Sequence, residues 1–238
     1  MTLVIAHRGA SGEAPENTLA AFRRAVQLNV DLVELDVRFS RDRRVIVIHD
    51  ETVQRTTTGH GAVAEMTLND LRQLDCGSWF DQRFKGERIP TLEEVIAVVR
   101  PTPVQLLIEI KDRPAPPEGF ETLILETLGR NGMQSRAILQ SFDLRAVKEL
   151  KQIEPSVAAA ALLDRRSSDP VGEALEAGAE TLAIKWKLLR PEIVEEAHRR
   201  GVQVYVWTVN KPKDIGRMRD FGVDGIISNY PQRIRLEA

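Results

Sequence analysis

Three carboxylates and two histidines of the 238-residue sequence sit in or directly after apolar runs, where charged groups are uncommon. Glu34 and Asp36 alternate with Val33, Leu35 and Val37, and on a β-strand that spacing puts both acids on one face. Glu109 interrupts another apolar run and is followed by Lys111. Buried ionised groups are paired or coordinate a metal. The acids therefore either bind a cation or form salt bridges with Arg8 and Lys111. Three carboxylates without a thiolate cluster favour a hard cation, Mg2+ or Ca2+, over Zn2+. His7 and His49 each close an apolar run, and imidazoles of near-neutral pKa suit a general acid and a general base, although a strand-end histidine can equally be structural. Arg8 and Lys111 could grip an anionic substrate and stabilise its transition state, or simply neutralise the acids. Trp207 could wall off the pocket or serve as packing, while His60 and His198 read as solvated.

The stretch 33–50, VELDVRFSRDRRVIVIHD, brings most of these groups together. Its second apolar run, Val45-Ile46-Val47-Ile48, delivers His49 and Asp50. Only residues 40–44 separate the two runs, and a parallel connection needs roughly a dozen or more. The pair is therefore expected to be an antiparallel hairpin. With the turn at 41–44, Asp36 would lie opposite His49, whereas a register one residue different would separate them.

Elsewhere the chain alternates strand and helix. Candidate strands fall at 3–6, 31–39, 45–49, 104–111, 136–140, 157–163, 181–186, 203–208 and 225–228. Asn17 is expected to cap a helix carrying Leu19, Phe22, Val26 and Leu28, and Thr91 another through Arg100, with Glu94 as its capping-box partner. Further helices are expected at 118–129, 143–153, 169–177, 191–200 and 212–221, with a short one at 232–236; Gly129, Gly178 and Gly201 suit helix ends. Residues 51–88 are least regular, with a brief helical pattern at 69–74, and read as an insertion beside the site. Removing the hairpin's return arm from nine candidate strands leaves eight strand-helix units, the repeat of a (β/α)8 TIM barrel in one domain spanning 1–238. Active groups of such a barrel lie at the carboxyl ends of its strands, where His7, Arg8, Glu34, Asp36, Glu109, Lys111, Gln140, Ser141, Lys185 and Trp207 fall.

Bulk properties exclude several classes. Lys+Arg 33 against Asp+Glu 35 gives a net charge of -2, which offers no basic field for nucleic acid. No apolar run is long enough to span a bilayer and the N-terminal run is too short for a signal peptide, so no stable membrane association is expected. Cys76 is the lone cysteine, which suits a reducing cytoplasm.

The sequence resembles the glycerophosphodiester phosphodiesterase family. The resemblance rests on His7-Arg8-Gly9, Pro15-Glu16-Asn17-Thr18, Glu34-Leu35-Asp36-Val37, His49-Asp50, Arg55-Thr56-Thr57 with Gly59 and Gly61, Ile89-Pro90-Thr91-Leu92, Glu109-Ile110-Lys111 and Trp207-Thr208-Val209-Asn210, in order over nearly the whole chain. It implies a metal-dependent barrel that hydrolyses small glycerophosphodiesters, such as glycerophosphocholine or glycerophosphoethanolamine, to glycerol 3-phosphate and an alcohol. It further implies His7 and His49 as the acid/base pair, Glu34, Asp36 and Glu109 as metal ligands, and Arg8 and Lys111 as phosphate contacts. The chain departs from the family pattern at Arg43, where the hairpin turn often has glycine, and at Asn229, where an Asp is common near the last strand. Two other readings remain open at this point: a related phosphodiester lyase of the sphingomyelinase D type that leaves a cyclic phosphate, and a barrel that binds phosphodiesters without turning them over.

Overall fold

The computed structural model describes residues 2–111 and 117–235, so Met1 and Leu236, at the ends of segments read from the sequence, lie outside it. Strand β1 (Leu3–Ala6), helix α1 (Leu19–Gln27) and strand β2 (Leu32–Phe39) make the first unit, and β3 (Val45–Val47) folds back on β2. Helices α2 (Leu68–Leu71) and α3 (Leu92–Val99) precede β4 (Gln105–Ile110). The chain then alternates through α4 (Phe120–Arg130), β5 (Ala137–Ser141), α5 (Leu144–Ile153), β6 (Ala158–Leu163), α6 (Pro170–Glu176), β7 (Thr181–Lys185), α7 (Pro191–Arg199), β8 (Gln203–Trp207), α8 (Pro212–Asp220), β9 (Gly225–Ser228) and α9 (Gln232–Arg235).

Hydrogen bonding follows the order β1-β9-β8-β7-β6-β5-β4-β2, and β1 also pairs with β2, which closes eight parallel strands into a barrel. With helices between the strands this is the expected (β/α)8 TIM barrel, and β3 stands outside the ring, antiparallel to β2. Strand alternation sorts the side chains into two layers. Val33, Leu35 and Val37 face the helices, while Ile5, Leu32, Leu107, Ile138 and Tyr205 pack inside the barrel. Two residues further along each of those strands, on the same face, come His7, Glu34, Glu109, Gln140 and Trp207. A dry apolar plug thus carries a polar layer at the carboxyl ends. A third apolar cluster, Ile46, Ile48, Val53, Val63, Leu71, Cys76 and Ile89, fastens the 51–88 insertion to the return arm of the hairpin.

Three local expectations need correction. Thr18, not Asn17, caps α1, accepting a hydrogen bond from the Ala21 amide; Asn17 adopts a left-handed conformation (φ +56°) that turns its side chain to the barrel mouth. Gly129 lies inside α4, whose exit is taken by Gly132 at φ +65°, whereas Gly178 and Gly201 follow α6 and α7 as expected. The hairpin register pairs Phe39 with Val45, Arg38 with Ile46 and Val37 with Val47, so Asp36 faces Ile48 and not His49. The turn is one residue tighter than expected because Arg43 takes the left-handed conformation itself (φ +56°), with the Arg43 amide donating to the Ser40 carbonyl.

The capping box of α3 forms as expected, with the Thr91 hydroxyl accepting from the Glu94 amide and the Glu94 carboxylate accepting from the Thr91 amide. Replacing Thr91 by Ala removes one of these acceptors and should destabilise the fold by about 1 kcal/mol. The check is a lowered urea midpoint; an unchanged midpoint would mean that the cap contributes nothing.

Candidate active site

The parallel register sets Asp36 directly beside Glu109 across β2 and β4, and Glu34 shares the face of Asp36 two residues back. The result is a buried cluster in which one carboxylate oxygen from each of Glu34, Asp36 and Glu109 lies within 4.8 Å of the others. Cations answer the acids unevenly. Lys111 Nζ lies 2.7 Å from Asp36 Oδ1 and also contacts Glu109, and Arg8 Nε lies 3.2 Å from Asp36 Oδ2. The Asn17 amide donates to Asp36 Oδ2 at 2.8 Å. Glu34 receives the Arg8 backbone amide at 2.9 Å. The left-handed Arg8 (φ +55°) turns that amide inward, and Gly9 (φ +77°) packs so tightly that an added Cβ would come within 2.7 Å of Ala21.

Electrostatics follow from this asymmetry. Burial opposes ionisation of Asp36, but Lys111, Arg8 and His49 outweigh it and hold the carboxyl well below its usual range. Burial first, then the charges of Asp36 and Glu109, push Glu34 well above its usual range. Burial also pushes Glu109 up to about 7, with Lys111 opposing and Asp36 reinforcing. Two of three clustered carboxyls are thus short of positive charge, and the donor set is all oxygen. Those properties fit a hard divalent cation bound by Glu34, Asp36 and Glu109. The ion pairs with Arg8 and Lys111 are present as well, formed by the same acids that make up this cluster.

Both histidines have one ring nitrogen committed. His7 Nδ1 lies 2.6 Å from Asn229 Oδ1, and His49 Nδ1 lies 2.7 Å from Asp50 Oδ1. With Nδ1 donating to these acceptors, each neutral ring keeps Nε2 as a base. Burial, then the Arg8 charge, lowers the His7 pKa to about 4, against the pull of Asp36. Burial also lowers that of His49, while Asp36 raises it. The two groups of charge are therefore close enough to couple. His49 lies near enough to Asp36 for their charges to interact although the strand register does not pair them: the Ile48 amide still donates to the Asp36 carbonyl at 3.0 Å, and the His49 carbonyl beyond it accepts from Arg38 Nε at 2.9 Å.

A network that the sequence did not assign ties the two histidine loops together. Asp50 accepts from Arg55 Nε at 2.6 Å, the Arg55 guanidinium donates to Glu16 at 2.7 and 2.9 Å, and Glu16 accepts from Arg8 Nη1 at 2.8 Å. The bond from Arg55 leads the fall of the Asp50 pKa to about 2. The motif runs Pro15-Glu16-Asn17-Thr18 and His49-Asp50 with Arg55 contained the signal, but ion pairs between distant loops leave no periodicity in a sequence. Asn229, noted above as a departure from the family pattern, emerges as the His7 partner. Trp207 lies at the mouth on β8, donating from Nε1 to the Ala183 carbonyl and packing edge-to-face on Phe142 at 5.6 Å; its described contacts do not include the charged cluster. His60 and His198 are exposed, the latter 2.9 Å from Asp224.

A His7 pKa of about 4 against about 6.5 unfolded means that the unfolded chain takes up the proton first as pH falls. His7 should therefore remain neutral from pH 8 to pH 5, and its burial should subtract stability progressively below pH 6.5. An NMR titration of the His7 ring checks this, and a midpoint near 6.5 would contradict it.

Comparison with known proteins agrees with this geometry. The model of the Glycerophosphoryl diester phosphodiesterase family matches residues 7–233. The chain is 39% identical over 233 residues to a glycerophosphodiester phosphodiesterase of Caldanaerobacter subterraneus subsp. tengcongensis, covering 98% of this chain and 96% of that protein. It is 33% identical over 246 residues to a glycerophosphodiester phosphodiesterase of Bacillus subtilis, covering 96% and 84% respectively. An Oleispira antarctica phosphodiesterase solved with the product sn-glycerol-3-phosphate superposes with a TM-score of 0.92 at 31% identity, covering 100% of this chain and 98% of that one. A glycerophosphodiester phosphodiesterase from Agrobacterium tumefaciens gives a TM-score of 0.87, also at 31% identity, covering 99% and 100%. On these grounds, with the motif residues gathered at one barrel mouth, the chain belongs to the glycerophosphoryl diester phosphodiesterase family.

Proposed function

We propose that the protein hydrolyses glycerophosphodiesters to sn-glycerol 3-phosphate and an alcohol, with His7 as general base, His49 as general acid and Glu34, Asp36 and Glu109 holding Mg2+ or Ca2+. The observation that carries this reading is a pair of imidazoles, each tied at Nδ1, flanking a buried cluster of three carboxylates. A divalent cation supplies Lewis-acid polarisation of the phosphoryl group.

The two histidines differ in what stands behind them, and the difference supports separate roles. The neutral amide of Asn229 does nothing to stabilise an imidazolium beyond one hydrogen bond, and His7 stays unprotonated at neutral pH. His7 Nε2 is thus free to take the proton of the attacking water. The Asp50 carboxylate favours the charged ring of His49 and partly offsets the burial that lowers its pKa, so of the two imidazoles this is the one better supported in carrying a proton to the leaving oxygen. Arg8 and Lys111 offset the negative charge that develops on the phosphoryl oxygens. Trp207 borders the mouth as an apolar wall. His49 and Asp50 lie at the junction of the barrel and the 51–88 insertion, so the proposed chemistry draws on both.

Purified protein with Mg2+ or Ca2+ should release sn-glycerol 3-phosphate from glycerophosphocholine or glycerophosphoethanolamine, followed by phosphorus NMR. EDTA should abolish turnover, and Glu34→Gln should do the same without loss of fold. Activity that survives both would remove the metal, and accumulation of a cyclic phosphate as final product would favour the lyase reading. His7→Ala and His49→Ala should each lower kcat by about 100- to 10,000-fold. With a p-nitrophenyl leaving group, which departs without a proton, His49→Ala should recover most of its loss and His7→Ala none. Equal recovery would reject the assignment of acid and base.

A further inference from the structure

Gln140 is a polar residue of the mouth layer that the proposed chemistry does not use. It stands on β5 directly beside Glu109, which itself stands beside Asp36, so the three form a continuous arc across β2, β4 and β5. Ile138, two residues earlier on the same strand, packs inside the barrel with Leu107 and Ala160, while Leu139 faces the helices. The Gln140 side chain accordingly points into the barrel at the level of the carboxylates. It is only 1% exposed, and its Oε1 is buried with no hydrogen-bond partner among the described residues. A buried amide oxygen without a donor is destabilising unless the site brings one, so it marks a place kept for a ligand.

The geometry limits what that ligand can be. The position lies on the far side of the acid cluster from His7, which follows β1 on the other flank of β2. An uncharged acceptor beside a carboxylate suits an O–H donor and not an anion. Resting on the hydrolase reading above, we infer that Gln140 Oε1 accepts a hydrogen bond from a hydroxyl of the substrate's glycerol moiety and so sets specificity for the glycerol half of the diester. A site built to bond a substrate hydroxyl discriminates strongly against an analogue that lacks it, because its own polar group is then left unpaired.

The test pairs Gln140→Met, which keeps the length of the side chain and removes the acceptor, with two substrates: glycerophosphoethanolamine and its analogue lacking the central glycerol hydroxyl. Wild-type protein should prefer the full substrate in kcat/KM, and Gln140→Met should raise KM for it by about tenfold while leaving the deoxy analogue nearly unaffected. The variant should melt no lower than wild type, since the orphaned acceptor is gone, and Mn2+ binding followed by EPR should not change. Gln140→Leu serves the same purpose if the Met variant does not fold. Equal losses on both substrates, or a weakened Mn2+ affinity, would overturn the inference in favour of a contact to the cation and its water. Unchanged kinetics on both substrates would overturn it outright. If wild-type protein turns over neither diester, the hydrolase reading fails first, and that result is distinct from all of these.

Discussion

Asp36 is ionised and entirely buried, and the mouth of the barrel is arranged around keeping it so. A carboxylate without water needs compensating charge and hydrogen bonds from fixed positions. Lys111, Arg8 and Asn17 supply them from the end of β4, the loop after β1 and the turn before α1. Each of those groups depends on a local backbone choice. Arg8 and Asn17 both take left-handed conformations to reach inward, and Gly9 lets the loop pack on α1. The strain is local and is offset by the charge it brings into register. Once Asp36 has claimed the cations, Glu34 and Glu109 are left protonation-prone beside it, which is the state of a site that gains from a divalent ion.

The same economy of charge runs outward. Arg8 faces Asp36 on one side and Glu16 on the other, Glu16 reaches Arg55, and Arg55 reaches Asp50 behind His49. His49 is therefore linked, through one alternating chain of acids and bases, to Arg8 in the loop that carries His7. Such networks act as units, so the effect of removing one member is not the sum of its contacts.

The barrel was legible because its signal is repetition. Apolar runs at nine positions, one of them excluded by its short connection, were enough to count eight strands; alternation put Glu34 and Asp36 on one face, and the rule that active groups lie at the carboxyl ends of barrel strands put Glu109 at the same mouth. Features set by a single backbone dihedral were not legible. Asn17 has the side chain of a helix cap, yet Thr18 performs that task and Asn17 turns to Asp36. Arg43 carries a left-handed turn where a glycine would have announced it, and the hairpin register shifts by one. His49 still lies close enough to Asp36 for their charges to interact, a proximity that strand pairing alone did not predict. Ion pairs between loops, such as Glu16 with Arg55, depend on the folded geometry alone.

The return arm β3 lies outside the closed ring, and its other face is the floor of the insertion's apolar cluster. Barrel integrity and reactivity therefore belong to different cooperative units. The ring closes through β1 and β2 whether or not β3 is docked, while His49 holds its position only when the insertion is folded beneath it. An opening confined to 51–88 would leave the eight-strand ring and the helices around it in place while freeing the segment that carries His49, the acid of the proposed chemistry. The apolar cluster around Ile46, Leu71 and Cys76 is thus what anchors that segment, separately from the contacts that close the ring.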